Sequence, residues 1–175
     1  MKSLISVNDF NELYQFPAEY LQDLAFAEDS GWVNIAQTDC LKKMLGYSAF
    51  KELAAAYALD STLTAYPKLK ALVYGEEYTY NDVLYNWQGL KEVVLGYCFC
   101  EGLKKKTRPV ITTTGANVST NENEEIASLN SRYISVWNRL IDNWAEAYKY
   151  LYESAYDYSN VRMNSLGYYI NSFGI

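Results

Sequence analysis

Residues 81–105 read N-D-V-L-Y-N-W-Q-G-L-K-E-V-V-L-G-Y-C-F-C-E-G-L-K-K, and their periodicity sets the fold expectation. Apolar residues fall at Val83, Trp87, Leu90, Val94 and Tyr97, in steps of four, three, four and three. That spacing predicts a long amphipathic helix over Asn81–Lys105. A second such pattern runs from Thr120 to Tyr158 through Ile126, Leu129, Tyr133, Val136, Leu140, Trp144, Tyr148, Leu151 and Ala155. Ser119-Thr-Asn-Glu122 is a capping box at its start, and the helix would extend about 50 Å at 1.5 Å per residue.

Two long helices joined by one connection should pack antiparallel, with shorter N-terminal helices covering their apolar faces. Those shorter elements are expected over Asp9–Phe16, from Pro17 to about Asp29, from Trp32 to Leu45-Gly46, over Ser48–Ala58 and over Pro67–Val73. In the third, Val33, Ala36, Cys40 and Met44, with Ile35 and Leu41 alongside, form the apolar face. The expected fold class is therefore all-α: a bundle built on the long antiparallel pair. A single domain is expected over residues 1–158, with residues 159–175 as an extended C-terminal tail.

Between the long helices, residues 107–119 are longer than the two to eight residues that such a connection needs. Arg108, Val110, Ile111, Thr112, Thr113, Thr114, Gly115, Asn117 and Val118 suit an extended loop or β-hairpin projecting from the bundle, a candidate partner-binding element. The tail retains Met163, Leu166, Tyr168, Tyr169 and Phe173. An apolar tail needs a surface to cover it, on its own subunit or on a neighbour. Tyr148, Tyr152 and Tyr156 share one stripe of the last helix, and Tyr150 and Tyr158 lie on another face. Aromatics on several faces point to contacts outside the domain, which places Tyr150 and Tyr158 with the tail residues as candidate contact residues.

Composition narrows the chemistry. The chain of 175 residues has no histidine, so the usual general base and the commonest zinc ligand are absent. Cys40, Cys98 and Cys100 lack framework spacing and read as small buried hydrophobes. On a helix, Cys98 and Cys100 would point about 200° apart at 100° per residue, which prevents a shared metal. The acidic groups Glu28-Asp29, Glu76-Glu77 and Glu122, Glu124, Glu125 read as helix ends, turns and a helix first turn favoured by the macrodipole. Phosphate loops, G-x-S-x-G and C-x-x-C are missing. These features argue against an enzyme and against any cofactor or bound metal.

A net charge of −6 opposes general attraction to nucleic acid. Lys104, Lys105, Lys106 and Arg108 suit a solvated helix end. Apolar runs are too short to cross a bilayer and the N-terminal residues lack a signal-peptide h-region, so no membrane role and production in a cytoplasm are expected. The 18 tyrosines point towards contact surfaces.

Ile35-Ala-Gln-Thr-Asp-Cys-Leu-Lys-Lys-Met-Leu-Gly46, followed by Tyr47 and Phe50-Lys-Glu-Leu53, resembles the I-x-x-A-Q, L-G, Y-x-x-L pattern of head-to-tail connector proteins of tailed bacteriophages. The order of Tyr80–Gly102 with Trp87-Gln-Gly-Leu-Lys91, the Thr/Gly loop, and a long helix ending in Tyr-x-Tyr-Leu is similar to the same family, over roughly residues 30–158. The resemblance implies a non-enzymatic helical adaptor of the virion, made in the bacterial host's cytoplasm. It would assemble as a ring of about twelve copies beneath the portal protein. Its further partners would be tail or other connector ring proteins, with DNA passing through the channel without specific binding. The alternative is a cytoplasmic helical interaction module, a phage accessory or regulatory protein.

Overall fold

A computed structural model describes residues 1–11, 14–15, 21–27, 30–106, 120–153, 161, 163–164 and 166–170. Among these residues, four α-helices and one two-stranded antiparallel sheet make up the main regular structure, so the all-α expectation is corrected to a mixed, mainly helical fold. In chain order these are α1 (Trp32–Leu59), α2 (Pro67–Tyr74), β1 (Glu76–Tyr80), β2 (Val83–Trp87), α3 (Leu90–Lys106) and α4 (Thr120–Glu153).

The correction falls on the first nine residues of the predicted helix 81–105. Asn81 and Asp82, with φ of 50° and 60°, are the central residues of a two-residue hairpin turn, the left-handed pair that a type I′ turn requires. Tyr80 then pairs with Val83, Tyr78 with Tyr85 and Glu76 with Trp87. Tyr78, Tyr80, Tyr85 and Trp87 face inward, while Glu77, Thr79, Leu84 and Asn86 face solvent. Val83 and Trp87 are four residues apart, a spacing that fits two strand repeats as well as one helical turn. The periodicity therefore did not discriminate; the alternating tyrosines and the Asn-Asp pair carried the strand signal.

From Leu90 onwards the helical expectation holds. Leu90, Val94, Cys98 and Leu103 are buried, and α3 packs against both α1 and α4. Glu92 meets Arg139 whereas Phe99 lies under Arg132, the reversed order of an antiparallel pair. The core stripe of α4 is Val136, Leu140, Trp144, Ala147, Tyr150 and Leu151. Tyr148, placed in that stripe by its spacing, is about half exposed, and Ala147 takes its place.

α1 buries Val33, Ala36, Cys40, Leu41 and Met44 and leaves Ile35 exposed. Its helical run is broken at Gly46 (φ 75°, ψ 168°), so the two helices expected on either side meet at a kink. Its buried polar pair, Asn34 and Gln37, ties down the chain before it. Gln37 accepts the Leu4 N–H at 2.6 Å, and Asn34 donates to the carbonyls of Phe26 and Ala27. Each bond satisfies a backbone group that burial would otherwise penalise.

Of the helix expected over Asp9–Phe16, the described residues contain no α-helix. Residues Val7–Asp9 make one 3-10 turn, and the Asp9 carboxylate turns back to accept the Ser6 N–H at 2.7 Å and to pair with Lys91 at 2.7 Å. Of the segment expected to be helical from Pro17 to Asp29, the described part contains a 3-10 turn at Asp23–Phe26.

Candidate interaction surfaces

Beside its core stripe, α4 presents a second row, Trp137, Ile141, Ala145 and Tyr148, at steps of four, four and three. C-terminal residues 163–164 and 166–170 lie along that row in extended form. The Trp144 indole N–H donates to the Asn164 carbonyl at 2.9 Å and the Trp137 indole N–H to the Tyr168 carbonyl at 3.0 Å. Asn138 grips Ile170 twice, accepting its N–H and donating to its carbonyl, both at 2.8 Å. Higher strap numbers meet lower α4 numbers, so the strap runs antiparallel to the helix. Asn164 also donates its N–H to the Lys43 carbonyl at 2.9 Å, which ties the strap to α1.

An extended segment has no backbone ladder of its own, so these side chains act as its pairing partner. Asn138→Ala should therefore free the end of the strap at a cost of about 1–2 kcal/mol for two lost hydrogen bonds. Faster hydrogen exchange of the Ile170 amide, with little change at buried α3 amides, is the expected readout. Unchanged exchange at Ile170 would show that burial of Val161, Met163 and Leu166 alone holds the strap.

Strap and helix enclose an apolar groove of about 430 Å³, lined by Ile141, Trp144, Ala145, Tyr148, Met163 and Leu166 together with Asn164 and Gly167. Of the tail contacts expected from the sequence, Met163 and Leu166 are half-buried against their own subunit. Tyr168 is 91% exposed and Tyr169 60%, both open to a partner. The Tyr169 hydroxyl donates to Asp142, and that hydrogen bond pushes the phenol's pKa up.

Tyr150 is a correction. It is fully buried, stacked on Trp87 at 5.3 Å and bonded through its hydroxyl to Glu76 at 2.6 Å, so it anchors the hairpin and faces no partner. Its separate face, read as an outward one, is the face that β1 and β2 cover. Tyr158, Phe173 and the loop residues Arg108, Val110, Ile111, Thr112, Thr113, Thr114, Gly115, Asn117 and Val118 lie outside the described residues.

The hairpin forms a second surface, which the sequence reading missed. Val83 and Leu84, beside the turn, are 52% and 65% exposed. The signal was present in the apolar pair placed directly after Asn81-Asp82. At 100° per residue, Tyr150, which carries the hairpin, and the row 141/145/148, which lines the groove, lie roughly 140–180° apart around α4. The hairpin also reaches Lys149, whose Nζ lies over the Tyr85 ring at 5.5 Å, so it extends along α4 to the residue next to Tyr148.

The titratable groups are engaged in structural contacts. Lys43 donates to the Tyr97 hydroxyl and pairs with Asp39 at 2.8 Å; the hydrogen bond to Asp39, then that to Tyr97, pushes the ammonium pKa up. Burial alone would raise Asp39, but hydrogen bonds from Lys43 and Tyr97 outweigh it and hold the carboxyl below its ordinary range. Glu92 accepts from Tyr14 and from Arg139 at 3.0 Å. Lys104 pairs with Glu101 at 2.7 Å.

Burial pushes all three thiols up, Cys100 to about 12, which suppresses the thiolate that metal binding and nucleophilic attack both need. Among the described residues no group of three or more Cys, Asp or Glu is placed to hold a metal ion. No helix in the described residues is long and apolar enough to cross a membrane. What the arrangement offers chemically is apolar contact area at the strap groove and at the hairpin tip. Comparison with protein families, with curated proteins and with solved structures finds no match to this chain.

Proposed function

We propose that this chain is a structural ring subunit at the head-to-tail junction of a tailed phage virion, with assembly as its activity and no catalysis. The observation that carries the reading is the presence of two unlike apolar surfaces, the strap groove and the hairpin tip. Contacts between different patches are heterologous, and heterologous contacts generate a ring when the rotation between copies closes. The sequence resemblance supplies the setting: a portal protein above, further tail or connector rings below, and about twelve copies. A net charge of −6 suits a channel wall along which DNA slides without sticking.

Native mass spectrometry of the chain mixed with the portal protein of the same phage tests the reading. A ring-sized oligomer bound to portal is expected. A chain that remains monomeric and shows no portal affinity would sink it, and a discrete dimer indifferent to portal would favour a cytoplasmic interaction module.

A further inference from the structure

We infer that the hairpin has a second seat on α4, reached by a pivot about its Trp87 end, in which the Tyr78 hydroxyl donates to Glu146. The inference goes beyond the ring reading and does not depend on it. It starts from an orphaned polar atom. Tyr78 is 6% exposed, and its hydroxyl is buried with no hydrogen-bond partner among the described residues. Its ring contacts, with Tyr85 at 5.6 Å and with Tyr150 at 5.3 Å, would be made equally by a phenylalanine. Burying an unpaired hydroxyl is unfavourable, so the oxygen gains its partner in another position of the hairpin.

The acceptor stands one helical turn away. Glu146 precedes Tyr150 by four residues, which puts the two on one strip of α4, and Tyr150 is the ring that Tyr78 touches. Glu146 is half-buried. Burial, and then the charge of Glu146, pushes the Tyr78 phenol's pKa up, so the two groups lie within electrostatic reach without a bond. Burial also raises the Glu146 carboxyl, against the charge of Lys149, and a phenol donor would stabilise that carboxylate. The groups around them are already engaged. Glu76 accepts from the Tyr150 hydroxyl, and the Lys149 ammonium lies over the Tyr85 ring at 5.5 Å.

The hairpin is held unevenly along its length. At the end away from the turn, Trp87 stacks on Tyr150 and donates to the Leu72 carbonyl, and its ladder partner Glu76 holds the Tyr150 hydroxyl. Nearer the turn the contacts that seat the strands are those of rings, Tyr78 against Tyr150 and Tyr85 under Lys149, and the tip residues Val83 and Leu84 are exposed. Directional bonds at one end and ring contacts at the other make the first end the pivot. Seats that differ by one hydrogen bond are close enough in free energy for the minor one to reach up to about 10% of the population. The pivot carries the apolar tip with it, so the position of that surface relative to α4 is adjustable.

Relaxation dispersion of backbone amides in the full chain reads microsecond-to-millisecond exchange of this kind. Dispersion is expected at Tyr78, Tyr85 and Glu146 and not at the core positions Cys98 and Leu140. Tyr78→Phe and Glu146→Ala should each lower the population of the minor seat at least about tenfold, the loss of one hydrogen bond to a charged acceptor. Tyr78→Phe should do so with the melting temperature unchanged or raised, because the hydroxyl it removes bonds nothing in the seat shown. Flat profiles at Tyr78 and Tyr85 in the wild-type chain would overturn the inference, as would dispersion that survives either substitution. A melting temperature lowered by more than about 2 °C in Tyr78→Phe would overturn it too, since the hydroxyl would then have a partner in the packed seat. Neither measurement involves portal or assembly, so each outcome leaves the ring reading to its own test.

Discussion

Trp87→Ala is expected to lower the unfolding free energy by about 3–5 kcal/mol, the range for truncating a buried Trp to Ala. Trp87 is 1% exposed, stacks on Tyr150 with ring centroids 5.3 Å apart, and donates its indole N–H to the Leu72 carbonyl at 3.0 Å. Truncation leaves a void between the hairpin and α4 and strips the carbonyl of its partner, so the cavity and the unpaired acceptor act together. Against a typical total of 5–15 kcal/mol this is a large fraction, equivalent to a melting-temperature drop of roughly 6–20 °C for a chain of this size. Thermal unfolding followed by circular dichroism measures it. Trp87→Phe keeps much of the stack and loses only the donor, so about 1–3 kcal/mol is expected. A Trp87→Ala cost below about 1 kcal/mol would show that the hairpin is not part of the core.

Gly75→Ala should cost about 2–4 kcal/mol. Gly75 links α2 to β1 with φ 92° and ψ 160°, a region essentially confined to glycine. A Cβ there would stand 2.3 Å from the Trp87 carbonyl oxygen and 3.0 Å from the Gln88 carbonyl carbon. Both obstacles are backbone, so neither can swing aside, and relief requires moving the end of β2 that seats Trp87. The expected result in urea unfolding is a lower midpoint with the slope preserved. A cost below about 0.5 kcal/mol would mean that the start of the hairpin relaxes freely.

Both predictions concern the element that sequence periodicity misassigned. In residues 90–106 and 120–153 the apolar spacing alternates three and four over many turns, which only a helix can satisfy on one face, and the helices are where the spacing puts them. Between Val83 and Trp87 there is a single step of four, shared by both periods, and the hydrophobic pattern cannot choose. The choice is made by the Asn81-Asp82 turn and by what the aromatic face finds to pack on, namely Tyr150 from a helix more than sixty residues later.

The candidate surfaces divide along the same line. An apolar tail with Met163 and Leu166 announced that it needed a partner, but the identity of that partner depended on whether Trp137, Asn138 and Trp144 stood in line to bind its backbone. Tyr150 and Tyr148 are two residues apart on one helix, and composition treats them alike. The hairpin covers the first, whereas the second stays about half exposed, so one is core and the other borders the groove.

By itself, then, the sequence determined the long helices, the exclusion of histidine chemistry and the presence of apolar segments in need of cover, because these follow from local period and residue type. Only the tertiary structure decided that a hairpin begins where a helix was expected, that the strap packs on its own subunit, and that Val83 and Leu84 stay exposed at the hairpin tip. Those outcomes depend on which distant side chains meet, and burial is a property of the meeting rather than of the residue.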